Sequence, residues 1–433
     1  MMILGAGTLQ VPAIKKAKEL GYEVICVDYD ENAVGFALAD EKLVVSTLDQ
    51  EEVYRQALIY KPDVVMTSTS DGPVRTAAYV NEKLGKRPDL SYENAQCATI
   101  KSKMRNRLKE YDVPIPRYYA VEDFASFSRA VDALNGRCIV KPADNAGSRG
   151  VVLLDAAVDL TIDMGSDDKV IMEALKTDPE ARMDRYAAYA ERIAVWKRRM
   201  YDYSRANSRG GTVMVEEYMQ GPEVSVEAIV VEGTPYILAV TDKYITPPPY
   251  FVELAHCEAS MLDEETQERI RQVAKQAIRA VGIENAPAHV EVKVTGEGPK
   301  IVELAARLGG DFITSRLVPL STGIDMVGAS VELAVGRKPD LTPKWRRGAA
   351  IHFLHAAEGQ EGTISGISAP ENLNGSDGVE EISLYKKKGD SVQGTHSSND
   401  RLGHVITTGE TPQEAMELGR RALAQICVEV SAY

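Results

Sequence analysis

The chain has 433 residues, of which 44% are hydrophobic and 26% charged, a composition typical of globular proteins rather than disordered or collagen-like chains. Its formal charge of −14 opposes a general nucleic-acid or anionic-membrane binder, because both need a basic surface. The sequence shows no apolar stretch of about 18 residues, no signal-peptide pattern and no CxxC spacing. We therefore expect a cytoplasmic protein that acts on small molecules.

The first segment alternates strand and helix signals. Apolar runs at residues 2–4 and 22–28 flank a helical stretch at 11–20, and further strand patterns follow at 42–45 and 63–67. This alternation predicts a parallel, Rossmann-like α/β domain over residues 1–97.

The turn after the first strand partly matches a dinucleotide-binding fingerprint. Gly5 and Gly7 follow the strand, and Asp28 ends the next one, but Gln10 stands where the third glycine is needed. A tight turn or a small anion site is the favoured interpretation. A nicotinamide-binding oxidoreductase is the alternative function from another class.

The central segment combines a helix, a glycine-rich loop and antiparallel strand patterns. The helix at 99–110 ends before Pro114 and Pro116, which stop helical geometry. A strand at 138–142 enters the loop at 143–150, and strand patterns follow at 225–231, 236–241, 289–294 and 300–304. We predict a central domain over residues 98–345 with a mobile lid at about 114–212. The arginine-rich part of this lid, 163–211, is interpreted by default as a solvated helix, and a segment that faces an anionic substrate is the alternative.

The last segment, residues 346–433, is predicted to form a small α+β lobe. Short strand patterns precede an amphipathic helix at 411–430. Thr411 is its predicted N-cap, and Glu414, three residues on, is the capping-box partner.

Two lysines and a glycine-rich loop could bind a polyphosphate. Lys101 and Lys141 supply positive charge, and Gly147, Ser148 and Gly150 form a loop whose backbone amides can approach phosphate oxygens. Either lysine alone would be interpreted as a surface residue. The combination of strand, Lys-Pro and glycine loop favours the phosphate interpretation.

Two acidic residues on neighbouring predicted strands could bind a metal ion. Alternation along 289–294 places His289, Glu291 and Lys293 on one face, and Glu303 follows on the next strand. If these strands pair, both carboxylates converge on one cleft, where oxygen ligands suit Mg²⁺. A solvated polar face is the alternative.

Taken together, these motifs resemble the ATP-grasp superfamily from Lys101 to about residue 340, with relatives such as L-amino-acid ligases and carbamoyl-phosphate-synthase-like proteins. The resemblance implies an α/β and α+β fold: a preATP-grasp domain, an ATP-grasp domain with its lid, and a C-terminal lobe. Ile100 and Ala305 depart from the pattern, since the family commonly has Asp and Asn at these positions.

The resemblance also implies roles for individual residues. ATP would be bound by residues on several segments: Lys101, Lys141, Gly147, Ser148, Gly150, Glu216, Glu217, Met219 and Glu223. Glu291 and Glu303 would bind Mg²⁺ or Mn²⁺, and Arg307 and Lys141 would act in catalysis. Substrate would be bound by Arg307, Gly309 and Gly310, and by Glu253 and His256 as in the amino-acid ligases.

The resulting hypothesis is an ATP-dependent carboxylate–amine ligase that forms an amide through an acyl phosphate. Small-molecule acids and amines, one of them an amino acid, are the expected substrates, and a homodimer is the expected assembly. The alternative within the superfamily is a biotin-carboxylase-like or purine-type carboxylase that activates bicarbonate.

Overall fold

The computed structural model describes residues 1–86, 90–145, 150–155, 179–247, 251–356, 360–370, 373, 375–376, 378–395 and 397–431. Only the backbone is described for residues 179–192. Gly147 and Ser148, predicted to bind phosphate, lie outside the described residues.

The N-terminal segment forms a four-stranded parallel sheet in the order β3-β2-β1-β4. Its strands are β1 (Met2–Leu4), β2 (Ile25–Asp28), β3 (Glu41–Val44) and β4 (Val65–Met66). Its helices are α1 (Val11–Glu19), α2 (Gln50–Tyr60), α3 (Asp71–Lys83) and α4 (Tyr92–Cys97), with a 3-10 turn at Val34–Leu38. Every residue of β1 is buried, because helices cover both faces of a parallel sheet. The predicted Rossmann-like topology is confirmed.

The next unit is a four-stranded antiparallel sheet in the order β5-β8-β6-β7, which follows helix α5 (Lys101–Glu110). Its elements are β5 (Tyr118–Val121), α6 (Phe124–Ala133), β6 (Arg137–Pro142), β7 (Val152–Asp155), α7 (Pro179–Ala206) and β8 (Val213–Glu217). Phe127 and Tyr201 from the two helices pack in its core with ring centroids 5.3 Å apart. This unit corresponds to the predicted lid, and its boundaries and motion stay predictions.

An eight-stranded sheet forms the centre of the molecule, in the order β13-β12-β9-β10-β11-β14-β18-β16. Its strands are β9 (Glu223–Val231), β10 (Thr234–Ile245), β11 (Glu253–Glu258), β12 (Pro287–Thr295), β13 (Gly298–Ala305), β14 (Gly348–Leu354), β16 (Val379–Leu384) and β18 (Gly403–Gly409). The associated helices are α8 (Glu264–Val281), α9 (Val318–Thr322) and α10 (Met326–Ala334), with a π-helical turn at Ile313–Leu317. The α8 helix buries its apolar face against this sheet.

The C-terminal lobe shares this sheet. Strands β14, β16 and β18 extend it beyond the predicted boundary at 345/346, which therefore does not separate two sheets. The remaining elements are β15 (Gly362–Ser368), β17 (Ser391–Val392), a 3-10 turn (Ser398–Asp400), α11 (Pro412–Leu423) and β19 (Cys427–Ser431). Strands β15, β17 and β19 form a separate three-stranded sheet. The α/β and α+β class is confirmed.

The last helix is shorter than predicted. The α11 helix ends at Leu423, and Cys427–Ser431 forms a strand that pairs with β15, so the predicted helix over 411–430 is wrong in its last part. Thr411 is the N-cap as predicted, with its hydroxyl accepting from the Glu414 amide at 3.2 Å. The Glu414 carboxylate accepts from the Glu410 amide instead of closing the capping box.

No single helix in the described part of the chain is long and apolar enough to cross a membrane. The bent helical pair Ile313–Thr322 and Met326–Ala334 passes the same test by length and composition, with an angle of 116° between its parts.

Gly221, between β8 and β9, should be intolerant of a side chain. Its φ is +130°, and a Cβ there would overlap the carbonyl oxygen of Val294 on β12. We predict that Gly221→Ala destabilises the protein by about 2–5 kcal/mol, through backbone strain and overlap together. Calorimetric unfolding measures the change.

Gly233→Ala is the matched control. Gly233 has φ +74°, but nothing lies within 4 Å of its Cβ position. This variant carries the strain of a positive φ alone, about 1–2 kcal/mol. Equal melting temperatures for the two variants would contradict the predicted overlap.

Candidate active site

A cleft of about 400 Å³ lies where the N-terminal sheet, the antiparallel unit and the eight-stranded sheet meet. Charged and titratable side chains dominate its lining: Asp71, Lys101, Lys141, Glu216, Glu217, Glu223, Lys243, Glu253, His256, His289, Glu291, Lys293, Glu303, Arg307 and Asp311. Lys101, Lys141, Glu291 and Glu303, which lie far apart in sequence, are therefore brought to one cavity. Met219 and Gly310 also line it, whereas Gly150 and Gly309 are outside the described lining.

The two predicted metal-binding carboxylates face each other across a strand pair. Glu291 on β12 lies directly opposite Glu303 on β13. Lys243 Nζ donates to Glu291 Oε1 at 2.8 Å, and Lys101 Nζ donates to Glu303 Oε1 at 2.7 Å. Although burial opposes ionisation, the Lys243 ammonium holds the pKa of Glu291 well below its ordinary range. Both carboxylates thus face positive charge in the structure.

The two lysines predicted to face phosphate differ in their surroundings. Lys101 is buried at the start of α5 and also donates to the Asn145 carbonyl at 2.8 Å. Burial opposes its charge, but the Glu303 carboxylate raises the pKa of Lys101. Burial lowers the pKa of Lys141, and Glu216 only partly offsets that effect. Lys141 therefore has more to gain from a further anion in the cleft.

The carboxylate of Glu216 is bound by two cationic side chains and is not free to contact a nucleotide base. Arg105 Nε and Nη2 donate to its two carboxylate oxygens at 2.8 and 2.9 Å, and Lys141 Nζ lies 2.7 Å from Oε2. All three side chains are buried. Burial opposes ionisation, but Arg105 and Lys141 lower the pKa of Glu216 to about 2. Its side chain therefore positions Lys141.

The cleft also has apolar lining, which suits contact with a flat ring. Apolar side chains line it, namely Ile139, Val151, Met219 and Val302. Glu217 accepts from the Arg117 amide at 3.1 Å. Glu223 lies between Lys243 at 2.8 Å and Lys293 at 3.3 Å.

Arg307 is held by the N-terminal domain. Its Nε donates to Asp71 Oδ1 at 2.7 Å, and Nη1 donates to the Leu308 carbonyl at 2.9 Å. Burial opposes ionisation, but Arg307 lowers the pKa of Asp71. Since Asp71 begins α3, the N-terminal domain positions a side chain of the central cleft.

Gly309 lies behind the cleft wall. A Cβ there would come within 2.8 Å of Glu227 Oε2 and 2.9 Å of His289 Nδ1. These two side chains form a buried pair at 2.8 Å. Burial opposes the charge, but Glu227 raises the pKa of His289 to about 9. Gly309 thus makes space for this pair, and its predicted contact with substrate stays a prediction.

Glu253 and His256 line the cleft on β11, beyond Lys243. His256 Nε2 lies 3.2 Å from Asp311 Oδ2, and Asp311 in turn pairs with Arg401 of the C-terminal lobe at 2.8 Å.

Sequence reasoning missed Asp71, Arg105, Lys243, Asp311 and Arg401. Each acts through a partner that is distant in sequence, so no local spacing identifies it. Alternation along β10 places Lys243 on the same face as Thr241 and Ile245, and this pattern could have indicated that Lys243 faces the cleft.

The Gln10 side chain occupies the space beside the turn at Gly5 and Gly7. Gln10 packs within 3.1 Å of the Cβ position of Gly5 and donates to Thr69 Oγ1 at 2.6 Å. Asp28 accepts from the Ala6 amide at 2.7 Å. Gln10 thus fills space, and Asp28 takes one amide, that a pyrophosphate would need, which disfavours the oxidoreductase alternative.

Comparison with known proteins matches two parts of the chain to family models. The family model described as ATP-grasp domain matches residues 177–315, and the one described as L-amino acid ligase C-terminal domain 2 matches residues 352–431. Residues 177–315 thus match an ATP-grasp domain. The fold of the chain resembles that of L-amino acid ligase from Bacillus licheniformis, with a TM-score of 0.75 at 20% identity, covering 99% of this chain and 98% of that one.

Curated relatives include amino-acid ligases. Alanine–anticapsin ligase of Bacillus subtilis is 25% identical over 305 residues, which are 67% of this chain and 58% of that protein. L-arginine-specific L-amino acid ligase of Bacillus subtilis is 22% identical over 357 residues, which are 82% of this chain and 77% of that protein. The chain spans only 62% and 58% of the length of the first curated relatives that it matches.

The buried Glu216 cluster generates a stability prediction. Glu216→Gln leaves Arg105 and Lys141 buried without their counter-charge, and we expect a loss of about 3–5 kcal/mol. Because the pKa of Glu216 is about 2 when folded and 4.5 ordinarily, its ionised form stabilises the protein fully above about pH 4.5. That contribution disappears as pH falls toward 2, so the variant should lose less melting temperature on acidification.

Glu417→Gln is the matched control. Glu417 pairs with Arg420 at 2.8 Å and Arg421 at 2.7 Å, but on the exposed surface of α11. Solvent screens these ion pairs, so the melting temperature of Glu417→Gln should match that of the unmodified protein. A Glu216→Gln variant as stable as this control would show that the cluster carries no net charge stabilisation.

Proposed function

We propose that this protein is an ATP-dependent carboxylate–amine ligase. The observation that carries the proposal is the meeting of Lys101, Lys141, Glu291 and Glu303 in one cleft. Positive side chains at the phosphate end and paired carboxylates beside them suit phosphoryl transfer, which depends chiefly on alignment and charge neutralisation. The matches to amino-acid ligases support an amino acid as one substrate.

The proposed reaction has two steps. A substrate carboxylate oxygen attacks the γ-phosphorus of ATP, and the bond from that phosphorus to the bridging oxygen breaks. ADP is the leaving group, and the acyl phosphate stays in the cleft. The amine nitrogen then attacks the acyl carbon, loses its proton, and inorganic phosphate leaves. Lys101 and Lys141 would hold the phosphates, and Arg307 would stabilise charge on the transferred group or the acyl oxygen. A closed lid at 114–212 would exclude water from the acyl phosphate.

The carboxylate pair fits a divalent cation. Among the residues described, no group of three or more His, Cys, Asp or Glu side chains could bind a metal ion. Two carboxylates therefore suit a metal that takes its other oxygen ligands from phosphate and water. Glu291 and Glu303 would hold Mg²⁺ or Mn²⁺, which neutralises phosphate charge when bound. Ala305 lies opposite His289 at the neighbouring register position and supplies no additional ligand.

Other parts of the proposal concern organisation. The domain boundaries at 97/98 and 345/346 and a homodimer are retained as predictions. Light scattering of the purified chain tests the assembly.

A screen of reaction pairs tests the function. Phosphate and ADP release are measured over pairs of amino acids and small acids with ATP and Mg²⁺, and mass spectrometry identifies the product. Amide formation stoichiometric with ADP supports the proposal. Bicarbonate-dependent ADP formation without an amino acid would instead support the carboxylase alternative, and the absence of amide with every pair would contradict the ligase.

Glu303→Ala should lower turnover about a hundredfold or more, and Lys141→Ala should do the same, because each removes charge stabilisation at the phosphates. The measurement is steady-state ADP release. Glu297→Ala is the control for the first variant, since Glu297 lies in the exposed β12–β13 turn, where it pairs with Lys300 at 2.7 Å. Near-normal ADP release from Glu303→Ala or Lys141→Ala would mean that the phosphates bind elsewhere.

Arg307→Lys should impair the reaction more than it impairs ATP binding. Lysine keeps the charge but loses the planar fork, which donates to both oxygens of Asp71 and, in the proposed reaction, would contact the reacting group. Turnover and ATP affinity are measured separately, by product formation and calorimetric titration. Equal loss of both quantities would assign Arg307 to nucleotide anchoring.

A further inference from the structure

A buried histidine connects the back of the cleft wall to one of the two carboxylates proposed to bind metal. His289 Nδ1 lies 2.8 Å from Glu227 Oε1, and His289 Nε2 lies 3.6 Å from Glu291 Oε1. We call these three side chains the histidine bridge. His289 and Glu291 line the cleft, whereas Glu227 is fully buried and lies outside the described lining. The bridge therefore links the interior of the sheet to the surface at which a metal ion would bind.

Backbone pairing sets the order of the three side chains in the bridge. Strands β9 and β12 are antiparallel, and Glu227 lies directly opposite His289. Glu291 follows His289 by two residues on β12, so both side chains point to the same face of the sheet. On the other side, Ala305 of β13 lies opposite His289, and its methyl group offers no hydrogen bond. The strand register therefore places His289 between two carboxylates.

Glu227 is an unfavourable residue for packing at this position. Its side chain is fully buried, and its Oε2 has no hydrogen-bond partner in the described part of the chain. An unpaired carboxylate oxygen in a protein interior is costly, and a well-packed apolar side chain would avoid that cost. Gly309 keeps the space beside this oxygen, since a Cβ there would lie 2.8 Å from it. Packing thus gives no reason for a carboxylate here, whereas the contact with His289 does.

Two nitrogen donors face the same oxygen of Glu291. Lys243 Nζ donates to Oε1 at 2.8 Å, and His289 Nε2 is the second nitrogen near this atom. Because carboxylates only accept, a ring nitrogen that contacts one must donate. The separation of 3.6 Å is longer than a hydrogen bond, and a small rotation of the Glu291 carboxylate would close it. Oε1 is thus the oxygen held by the protein, and Oε2 is the one that can face a cation in the cleft.

We propose that His289, oriented by Glu227, is a positioning residue for Glu291: it holds Oε1 on the protein side and leaves Oε2 to a divalent cation. The proposal rests on the proposed function, because it concerns the metal ion that would accompany the nucleotide. Neither His289 nor Glu227 is a metal ligand in this arrangement. Partners of this kind fix the orientation of a ligand, and their loss typically lowers metal affinity about 10–100-fold.

Binding of Mn²⁺ to the full chain in the presence of ADP tests this role without turnover. Electron paramagnetic resonance measures the free Mn²⁺ that remains in the mixture. His289→Leu removes both contacts of the ring and should lower Mn²⁺ affinity at least tenfold. His289→Gln keeps an amide donor that can reach Glu291, so it should retain more affinity than the leucine variant. Unchanged affinity in a folded His289→Leu variant, or equal losses in the two variants, would overturn the proposal.

Glu227 supplies an independent pair of variants, which keeps the proposal falsifiable if His289→Leu does not fold. Glu227→Leu removes the group that orients the imidazole and should also lower Mn²⁺ affinity at least tenfold. Glu227→Gln keeps an oxygen acceptor for Nδ1, so its effect should be smaller. Unchanged Mn²⁺ affinity in a folded Glu227→Leu variant would show that His289 needs no orienting carboxylate and would overturn the proposal.

A second measurement separates positioning from a general loss of structure. Calorimetric titration with ADP and a chelator, without metal, should give the same affinity for the His289 and Glu227 variants as for the unmodified chain. Equal losses of metal-free ADP affinity and Mn²⁺ affinity would overturn the positioning role.

Glu258→Gln and His352→Leu are the matched controls. Glu258 is a fully buried carboxylate on β11, and His352 is a half-buried histidine on β14, so both belong to the same sheet but lie outside the described cleft lining. Both variants should bind Mn²⁺ with ADP as the unmodified chain does. Losses as large as those of the bridge variants would mean that any buried substitution in this sheet weakens metal binding, and would overturn the assignment.

The unmodified chain distinguishes failure of this proposal from failure of the proposed function. If it binds no Mn²⁺ in the presence of ADP, the proposed function is contradicted. If it binds Mn²⁺ and the bridge variants bind it equally well, only the positioning role of His289 and Glu227 is wrong.

Discussion

The pairing of charges inside one cleft is the constraint on which the rest of the site depends. Buried charged groups are costly unless each has a partner, and here each partner comes from a different part of the chain. Lys101 of α5 reaches Glu303 of β13, and Arg105 of the same helix reaches Glu216 of β8. The α5 helix therefore ties the antiparallel unit to the eight-stranded sheet. In the cleft, lysine ammonium groups lie beside carboxylates. In the proposed function, phosphate would bind the ammonium groups and a metal ion would bind the carboxylates.

The three parts of the molecule each contribute to this cavity. The N-terminal domain supplies Asp71, which orients Arg307, and the C-terminal lobe supplies Arg401, which holds Asp311 and Glu253. The central sheet continues from β13 to β16 without interruption, so backbone hydrogen bonds fix the strands of the C-terminal lobe relative to the central strands. The lining of the cleft and the contacts that support it are thus properties of the assembled chain, not of the central sheet alone.

Much of the fold was predictable because its signals are local. Alternating strand and helix patterns identified the parallel sheet, and alternation along β12 placed Glu291 on the face that meets Glu303. The final strand was not predictable in the same way. Residues 427–431 continue the pattern after a helix, and only pairing with β15 makes them extended. A local sequence pattern does not show a pairing partner that lies about sixty residues away.

The sequence by itself predicted the ATP-grasp resemblance and the meeting of two lysines, two carboxylates and Arg307 in one cleft, because these residue types follow strand and loop patterns that can be recognised locally. Only the tertiary structure decided that Glu216 is held between Arg105 and Lys141, that Lys243 lies against Glu291, and that Arg401 reaches the cleft from the last lobe. The physical reason is that buried charges are paired with groups that are close in space but distant in sequence. The spacing of residues along the chain gives neither their burial nor the distance between them.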